Sequence, residues 1–170
     1  KVRTVFEERF MHCYVIEMDA ITAEMIKYMN NVFFACKVSI MNEMKMVCDK
    51  VNANWDLALK GFAADQRIGD SHLNVPGPDG KLGFGGSCFP KDINAFTSMA
   101  KELGINVPTI KGAWETNLHV RPEKDWEKLE GRAVVKKEPI SQEITPIPDS
   151  VSETVKKYHK VNSYSIPKAL

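Results

Sequence analysis

Apolar residues near the start of the chain recur close to helical spacing. Val2, Val5, Phe6 and Phe10 follow this pattern, which predicts a short amphipathic helix over residues 2–11. The run Tyr14-Val15-Ile16 that follows predicts a strand. A helix followed by a strand is what the end of an α/β domain would leave.

A much longer helix is predicted over residues 22–51, which contain neither proline nor glycine. At about 1.5 Å per residue it would be roughly 45 Å long, with Thr22 as its start. Its apolar residues, among them Met29, Phe33 and Val47, spread over more than one face. One side can pack on its own domain while another meets a second copy. We therefore predict a homodimer built on this helix, and the alternative is a monomer in which the helix is merely central.

Shorter helices are predicted farther along the chain. Asn54 can cap a helix that reaches about residue 62, and a helix over residues 91–103 is stopped by Gly104. Pro108 opens another helix that reaches about residue 119. The proline and glycine in Val75 to Gly80 predict a loop. These elements together predict a mainly α fold, a helical bundle.

The chain divides into a helical domain over residues 19–121 and a tail over residues 122–170. We expect Trp126 to anchor the start of the tail against the bundle, and a brief strand at residues 133–135. Lys, Glu, Ser, Thr and Pro dominate the rest, which predicts an extended or partly ordered segment with one or two helical turns at residues 151–158.

Charge and cysteine content exclude several classes of protein. The 23 basic and 22 acidic residues give a net charge of +1, so nothing attracts the chain generally to nucleic acid or to a membrane surface. No apolar run reaches the roughly 18 residues that span a bilayer, and no signal peptide is visible, so we expect a soluble, cytoplasmic protein. The four cysteines lack a C-x-x-C spacing, which predicts reduced thiols and no metal site.

The segment G-F-G-G-S-C-F-P-K-D at residues 83–92 carries the strongest candidate chemistry. Its three glycines let the backbone turn tightly and let a ligand approach the main chain. Pro90 suits the first position of a helix, so Cys88 is expected just outside the helix N-terminus, where free N–H groups and the nearby Lys91 favour a thiolate. Asp92 would then lie within reach of a group bonded to sulfur and would orient or deprotonate water. The alternative is a helix cap with a half-buried thiol.

Three further polar residues are candidates for binding. Lys27 and Asn31 are four residues apart and project from the same face of the long helix. Arg67 precedes the 75–80 loop, and its guanidinium is suited to a bidentate contact with phosphate or sugar hydroxyls. The alternative for each is an ordinary solvated surface residue. A cysteine protease arrangement has little support, because none of the histidines lies near Cys88 in the sequence.

The ten-residue run around Cys88 resembles the active-site segment of the UDP-glucose 6-dehydrogenase family. The resemblance continues on both sides of it, in the family's order and at near-family spacing, and covers roughly residues 1 to 132. The other similar segments are residues 22–35, extended by Asn42-Glu43, then residues 65–69 and residues 117–122.

This resemblance implies a fold and an activity. The expected fold is a helical central dimerisation domain with one long helix, like the C-terminal domain of 6-phosphogluconate dehydrogenase, preceded at residues 1–18 by the end of an NAD-binding Rossmann domain. The expected activity is NAD-dependent oxidation of UDP-glucose, twice at C6, to UDP-glucuronate.

The resemblance also implies roles for individual residues. Cys88 matches the catalytic cysteine, which forms a thiohemiacetal and then a thioester that water hydrolyses. Lys27 matches the lysine that stabilises oxyanion charge, Asn31 the asparagine that positions sugar or water, and Asp92 the acidic partner in hydrolysis. The remaining matches are Phe84, Gly85 and Gly86, which line the sugar, Arg67, which reaches a substrate in its own or the partner subunit, and Lys91, which faces the dinucleotide.

The sequence also departs from the family pattern. No G-x-G-x-x-G follows a strand, so we expect that the cofactor domain is absent and that this chain alone is inactive. The family's upstream glutamate and its C-terminal nucleotide-binding domain are not matched either. Two alternatives stay open. One is a sister activity on GDP-mannose or UDP-N-acetylmannosamine, which the loop at residues 76–81 would influence, and the other is a dimerisation module without catalysis.

Overall fold

The computed structural model describes residues 2–129, and all regular secondary structure in that range is helical. The prediction of a mainly α fold is therefore confirmed. The elements are α1 (Val2–Arg9), α2 (Ala20–Lys50), α3 (Trp55–Ala63), α4 (Cys88–Glu102), α5 (Pro108–Val120) and a short 3-10 helix (Asp125–Lys128).

The long helix α2 is the element around which the others are arranged. Its 31 residues span about 46 Å. Asp19 caps it, since its carboxylate accepts hydrogen bonds from the backbone N–H of Thr22 at 2.9 Å and from the Thr22 hydroxyl at 2.6 Å. The predicted start at Thr22 is thus too late, because Thr22 is the residue being capped rather than the cap.

Helices α4 and α5 pack along the middle of α2. Ala35, Phe84, Ile93 and Ala113 form the buried core there. Alanine on both α2 and α5 leaves room for a close approach, and the hydroxyl of Ser39 donates a 2.6 Å hydrogen bond to the carbonyl of Ala113. This packing fixes the start of α4 against α2, which is where the candidate site lies.

A second small core holds the loop between α3 and α4. Met41, Leu73 and Val75 are buried together, with Trp55 and Leu59 of α3 packed against them. The loop is therefore attached to α2 even though it has no regular structure of its own.

The N-terminal segment differs from its prediction in one element. A helix does form at Val2–Arg9, but none of its residues is buried. The predicted strand at residues 14–16 is wrong: these residues have no regular structure, and the side chains of Tyr14 and Ile16 are largely exposed. A strand needs a neighbour to accept and donate its backbone hydrogen bonds, and residues 2–129 contain no second strand. The assignment of residues 1–18 to a Rossmann domain, like the boundary at residue 121, stays a prediction.

Helix α4 begins earlier than predicted. It starts at Cys88 rather than at Lys91, and Pro90 is its third residue and is buried. The first helical turn tolerates proline at this place, because the N–H groups there have no partner within the helix. Cys88 is accordingly the first residue of the helix and not a residue just outside it.

The other helix ends agree with their predictions. The Asn54 side chain accepts a hydrogen bond from the backbone N–H of Leu57 at 3.0 Å, and Gly104 takes the left-handed conformation that ends α4, with φ of +72°. Helix α5 opens at Pro108. Trp126 is buried with its ring centroid 5.2 Å from that of Trp114, which confirms it as an anchor.

Two predicted elements, at residues 133–135 and 151–158, lie outside the described residues. Among the helices of residues 2–129, none combines the length and the apolar character that crossing a bilayer requires.

Candidate active site

Cys88 lies at the junction between a glycine-rich turn and α4. Gly83 and Gly86 have φ of +66° and +69°, a conformation that strongly favours glycine, and the chain then enters the helix directly. The Cys88 side chain is exposed, and its sulfur lies 3.9 Å from the hydroxyl of Ser87. The turn thus presents a free thiol at a helix N-terminus, where the helix dipole favours negative charge.

Asp92 lies one helical turn after Cys88 and is buried, with 1% of its surface exposed. The side-chain amide of Asn31 donates a 2.5 Å hydrogen bond to one carboxylate oxygen, and the ammonium of Lys91 is paired with the other. Asn31 belongs to α2 and is 61 residues away in the sequence. The packing of α4 on α2 therefore creates this polar cluster.

The neighbours of Asp92 keep it ionised. Burial by itself raises the pKa of this carboxyl, but the hydrogen bonds from Lys91 and Asn31 and the positive charges of Lys91 and Lys27 outweigh that effect, so the pKa lies below its usual range. The pKa of Lys91 is raised, chiefly by its hydrogen bond to Asp92, which outweighs the lowering effect of burial. The site consequently contains a fixed carboxylate and a fixed ammonium close to the thiol.

Lys27 is the outermost member of the cluster. Its side chain is exposed, it lies one turn before Asn31 on the same face of α2, and its charge acts on Asp92. The structure thus brings Lys27 and Asn31 of α2 together with Lys91 and Asp92 of α4, the helix that begins at Cys88. A nucleophile, two cations, an amide and an ionised carboxylate can support addition to a carbonyl carbon and subsequent attack by water.

The backbone of the turn before Cys88 is held by two buried asparagines. The Asn117 side chain accepts from the Phe84 N–H at 2.7 Å and donates to the Phe84 carbonyl at 3.0 Å. The Asn42 carbonyl oxygen accepts from the Gly83 N–H at 3.1 Å. Both residues lie in segments that resemble the family, but no role was predicted for either. The feature that could have identified them is a polar side chain at a helix position that faces the core.

Arg121, just after α5, is a second feature that sequence reasoning missed. It is buried, and its guanidinium binds the carboxylates of Asp79 and Asp125 at 2.7 Å each and the carbonyl of Leu82 at 3.3 Å. These bonds raise the pKa of Arg121, with Asp125 as the largest contributor, and hydrogen bonds from Arg121 lower the pKa of both aspartates.

A cavity of about 420 Å³ opens on one side of this turn. Phe84, Gly85 and Phe89 form part of its wall, and His72 lines it while stacking on Phe34 with ring centroids 4.3 Å apart. Phe84 and Gly85, two of the three predicted sugar-lining residues, therefore face a space large enough for part of a small molecule.

Arg67 is not part of the cluster around Cys88. It lies in the segment after α3, its side chain is largely exposed, and its guanidinium binds the carboxylate of Asp65 at 2.5 Å. That bond raises the pKa of Arg67 and lowers that of Asp65. A substrate contact by Arg67 stays a prediction. Within residues 2–129, no three or more His, Cys, Asp or Glu side chains are grouped to hold a metal ion.

Comparison with known proteins gives this geometry a context. Residues 21–119 match the model of the UDP-glucose/GDP-mannose dehydrogenase family, central domain. A protein named UDP-glucose 6-dehydrogenase from Rickettsia felis is 42% identical over 99 residues, which are 58% of this chain and 21% of that relative. A UDP-glucose 6-dehydrogenase of Bacillus subtilis is 38% identical over 119 residues, 69% of this chain and 25% of the relative.

A solved structure agrees with these sequence matches. A UDP-glucose dehydrogenase from the hyperthermophilic archaeon Pyrobaculum islandicum superposes with a TM-score of 0.59 and 28% identity, covering 69% of this chain and 26% of that one. The chain spans about a quarter of the length of the proteins it resembles. The family match covers more than half of the chain and includes the turn, Cys88 and the buried carboxylate. The chain therefore belongs to the UDP-glucose/GDP-mannose dehydrogenase family and corresponds to its central domain.

Proposed function

We propose that this chain is the cysteine-bearing central part of an NAD-dependent UDP-glucose 6-dehydrogenase, which oxidises UDP-glucose twice to UDP-glucuronate. The observation that carries the proposal is the buried, ionised Asp92, which Asn31 and Lys91 hold one turn after the exposed Cys88. The family match and the names of the relatives at 38–42% identity favour UDP-glucose as the substrate.

Cys88 is the proposed nucleophile. Its sulfur adds to the C6 aldehyde that the first oxidation produces, and the former carbonyl oxygen takes up a proton. Loss of a hydride from C6 and of the proton from that hydroxyl leaves a thioester. Attack by water then breaks the C–S bond, releasing the carboxylate product and the thiol. A thiolate serves both steps because it is a good nucleophile and a good acyl leaving group.

The surrounding residues supply charge and position. Lys27 is proposed to stabilise the negative charge that develops on the C6 oxygen, and Asn31 is proposed to orient sugar or water. Asp92 stays ionised and orients or deprotonates the attacking water. Phe84, Gly85 and Gly86 are proposed to line the sugar, which places C6 next to the sulfur. Arg67 is proposed to contact the substrate as well.

NAD is the proposed hydride acceptor, with Lys91 as its proposed contact among the described residues. A dinucleotide fingerprint follows a strand, and residues 2–129 contain none. Lys91, the predicted dinucleotide contact, is ion-paired with Asp92 and keeps 40% of its side chain exposed, so it can reach a ligand only at the edge of the cluster.

We also propose that two copies associate through α2. One stripe of this helix is apolar and yet exposed. Its residues are separated by three, four or seven positions, which places them on one face of the helix. Exposed apolar stripes of this size favour protein contact. The residues of this α2 stripe are Ile26, Met29, Phe33, Ile40, Met44, Val47 and Val51.

A cytoplasmic location is proposed as well. All four cysteines are free, although Cys13 and Cys88 are exposed. Free exposed thiols persist in a reducing compartment.

The proposed function is tested by measuring NADH formation by the whole enzyme that contains this chain. UDP-glucose should give two NADH per molecule, and GDP-mannose and UDP-N-acetylmannosamine should give none. Cys88→Ser should abolish release of UDP-glucuronate, because serine is a poorer nucleophile at neutral pH and its ester a poorer acyl donor. Cys13→Ser, at another exposed cysteine, is the matched control and should retain full turnover.

Other outcomes would replace the proposal. Oxidation of GDP-mannose or UDP-N-acetylmannosamine in place of UDP-glucose would reassign the substrate within the family. Folded enzyme that oxidises none of the three sugars would leave the dimerisation module as the function of this domain.

A further inference from the structure

Arg121 carries a charge that is nearly inaccessible to solvent, with 2% of its surface exposed. A buried charge is stable only when partners satisfy it. Its guanidinium has three partners: the carboxylate of Asp125 at 2.7 and 3.0 Å, the carboxylate of Asp79 at 2.7 Å, and the carbonyl of Leu82 at 3.3 Å. Two of them come from the chain before the turn and one from the chain after α5.

The guanidinium lies directly against the glycine-rich turn. A Cβ placed on Gly85 would overlap the Arg121 guanidinium and would come within 2.6 Å of an Asp125 carboxylate oxygen. The pKa of Asp125 is lowered, chiefly by its hydrogen bond from Arg121 and to a smaller extent by the nearby backbone N–H of Gly86. The ion pair therefore packs directly against the backbone of residues 85–86, two residues before Cys88.

Asp79 connects the loop that directly precedes the turn to this support. It lies in the loop at residues 76–81, which is closed by a 2.8 Å hydrogen bond from the Gly77 N–H to the Lys81 carbonyl. The same loop has another attachment, since the ammonium of Lys81 pairs with the Glu123 carboxylate at 3.0 Å. That second pair is exposed and links the loop to the chain after α5. These two contacts already hold the loop in place. The contact of Asp79 with Arg121 therefore serves to orient the guanidinium rather than to hold the loop.

We propose that Arg121 is a positioning residue for the turn at residues 83–86, and that Asp79 makes the 76–81 loop a determinant of how the sugar sits over Cys88. The network acts through the backbone of Gly85 and Gly86 and touches no reacting atom. Its effect on turnover rests on the function proposed above, while its effect on the turn does not.

The test compares Asp79→Asn and Arg121→Lys with Glu123→Gln in the whole enzyme. Asp79→Asn keeps the shape of the side chain and removes its charge, and Arg121→Lys keeps the charge and cannot bridge all three partners. Both should speed amide hydrogen exchange in residues 82–88 and lower kcat, by about tenfold for Asp79→Asn and about a hundredfold for Arg121→Lys, because small displacements of a bound reactant are costly in rate. KM for NAD should stay unchanged. Glu123→Gln removes the exposed ion pair and should leave exchange and kcat at wild-type values.

Each result decides the proposal. Wild-type exchange and kcat in both Asp79→Asn and Arg121→Lys would overturn it, and so would an equal effect of Glu123→Gln, since the loop would then matter only as a whole. A lower melting temperature with unchanged kcat would make the network purely structural and would also overturn it. If Arg121→Lys does not fold, Asp79→Asn decides alone, because the Asp79 side chain is 48% exposed. If the wild-type enzyme oxidises no nucleotide sugar, the proposed function fails, and hydrogen exchange alone still decides whether the network positions the turn.

Discussion

Residues that share a chemical type differ in how much space surrounds them, and glycine shows this most directly. A Cβ at Gly85 would overlap the ion pair of Arg121 and Asp125, whereas a Cβ at Gly61 in α3 would have no atom within 4 Å. The same methyl group is therefore expected to have opposite effects at these two positions, and each follows from the immediate surroundings of one residue.

We expect Gly85→Ala to destabilise the protein by about 1–3 kcal/mol, because the added methyl group forces the buried ion pair to move. Gly61→Ala is the matched control and should stabilise by about 0.5–1 kcal/mol, since alanine loses less backbone entropy than glycine in a helix. Urea unfolding of the two variants measures both changes. Equal effects at the two positions would show that the turn yields freely.

Asp92 gives the stability a predictable dependence on pH. Its pKa is lower in the folded protein than in the unfolded chain, so its contribution is complete above the ordinary carboxyl pKa of roughly 4 and disappears as pH falls through the lowered, folded value. Asp92→Asn should therefore reduce the free energy of unfolding by about 1–3 kcal/mol at pH 7, and the gap from wild type should shrink in acid.

Urea unfolding across this pH range tests the Asp92 prediction. Asp70→Asn, at an exposed loop position, should change stability by no more than about 0.5 kcal/mol at pH 7. A gap between wild type and Asp92→Asn that stays constant into acid would contradict an ionised, stabilising Asp92.

At the scale of elements, α5 supports the glycine-rich turn that precedes Cys88. The side chain of its buried Asn117 bonds both the N–H and the carbonyl of Phe84, as the backbone of a neighbouring strand would do in a sheet. The buried backbone groups of Phe84 lie outside regular secondary structure and need other partners, which a helix side chain supplies here. The position of the turn therefore depends on the packing of α5 against α2.

We expect Asn117→Ala to cost about 2–5 kcal/mol, because it leaves two buried backbone groups of Phe84 without partners. Asn106→Ala is the matched control: Asn106 only accepts an exposed 3.0 Å hydrogen bond from Lys111, and its loss should change stability by less than about 0.5 kcal/mol. Thermal unfolding measures both variants. A small effect of Asn117→Ala would mean that water takes over the hydrogen bonds of Phe84.

At the scale of the whole molecule, α2 has two different sides. Residues such as Val32, Ala35 and Ser39 are buried under α4 and α5, while the α2 stripe defined above is exposed. Phe33 and Met29, in its N-terminal half, keep 63% and 62% of their surfaces accessible. A second copy covering this stripe would remove that apolar area from water.

We expect the 170-residue chain to sediment as a dimer and Phe33→Glu to shift it to monomer, since a charge buried within an apolar interface is left without solvent or a partner. Leu103→Glu is the matched control, an apolar to charged change at a residue that is 64% exposed beyond the end of α4. It should leave the dimer intact. A monomeric wild-type chain at micromolar concentration would remove the support for association through α2.

Much of the fold and the candidate site could be predicted from the sequence, because the signals are local. Proline, glycine and a capping asparagine set the helix ends at Asn54, Gly104 and Pro108, and the residues nearest in the sequence decide such ends. The turn and the exposed thiol could be predicted from residues 83–92 because they too depend on residues that are neighbours in the sequence. The apolar residues spread along residues 22–51, in a stretch without proline or glycine, predicted α2 apart from its start, which lies at Ala20.

Only the tertiary structure decided the rest, because it depends on groups that are distant in the sequence. The run at residues 14–16 has strand composition but no partner strand within the described residues, so it forms none. The amide that binds Asp92 comes from α2, and the buried Arg121 that supports Gly85 comes from the end of α5. The amino-acid sequence by itself thus determined which residues are candidates for the chemistry, and the packing of helices against each other determined which of them meet.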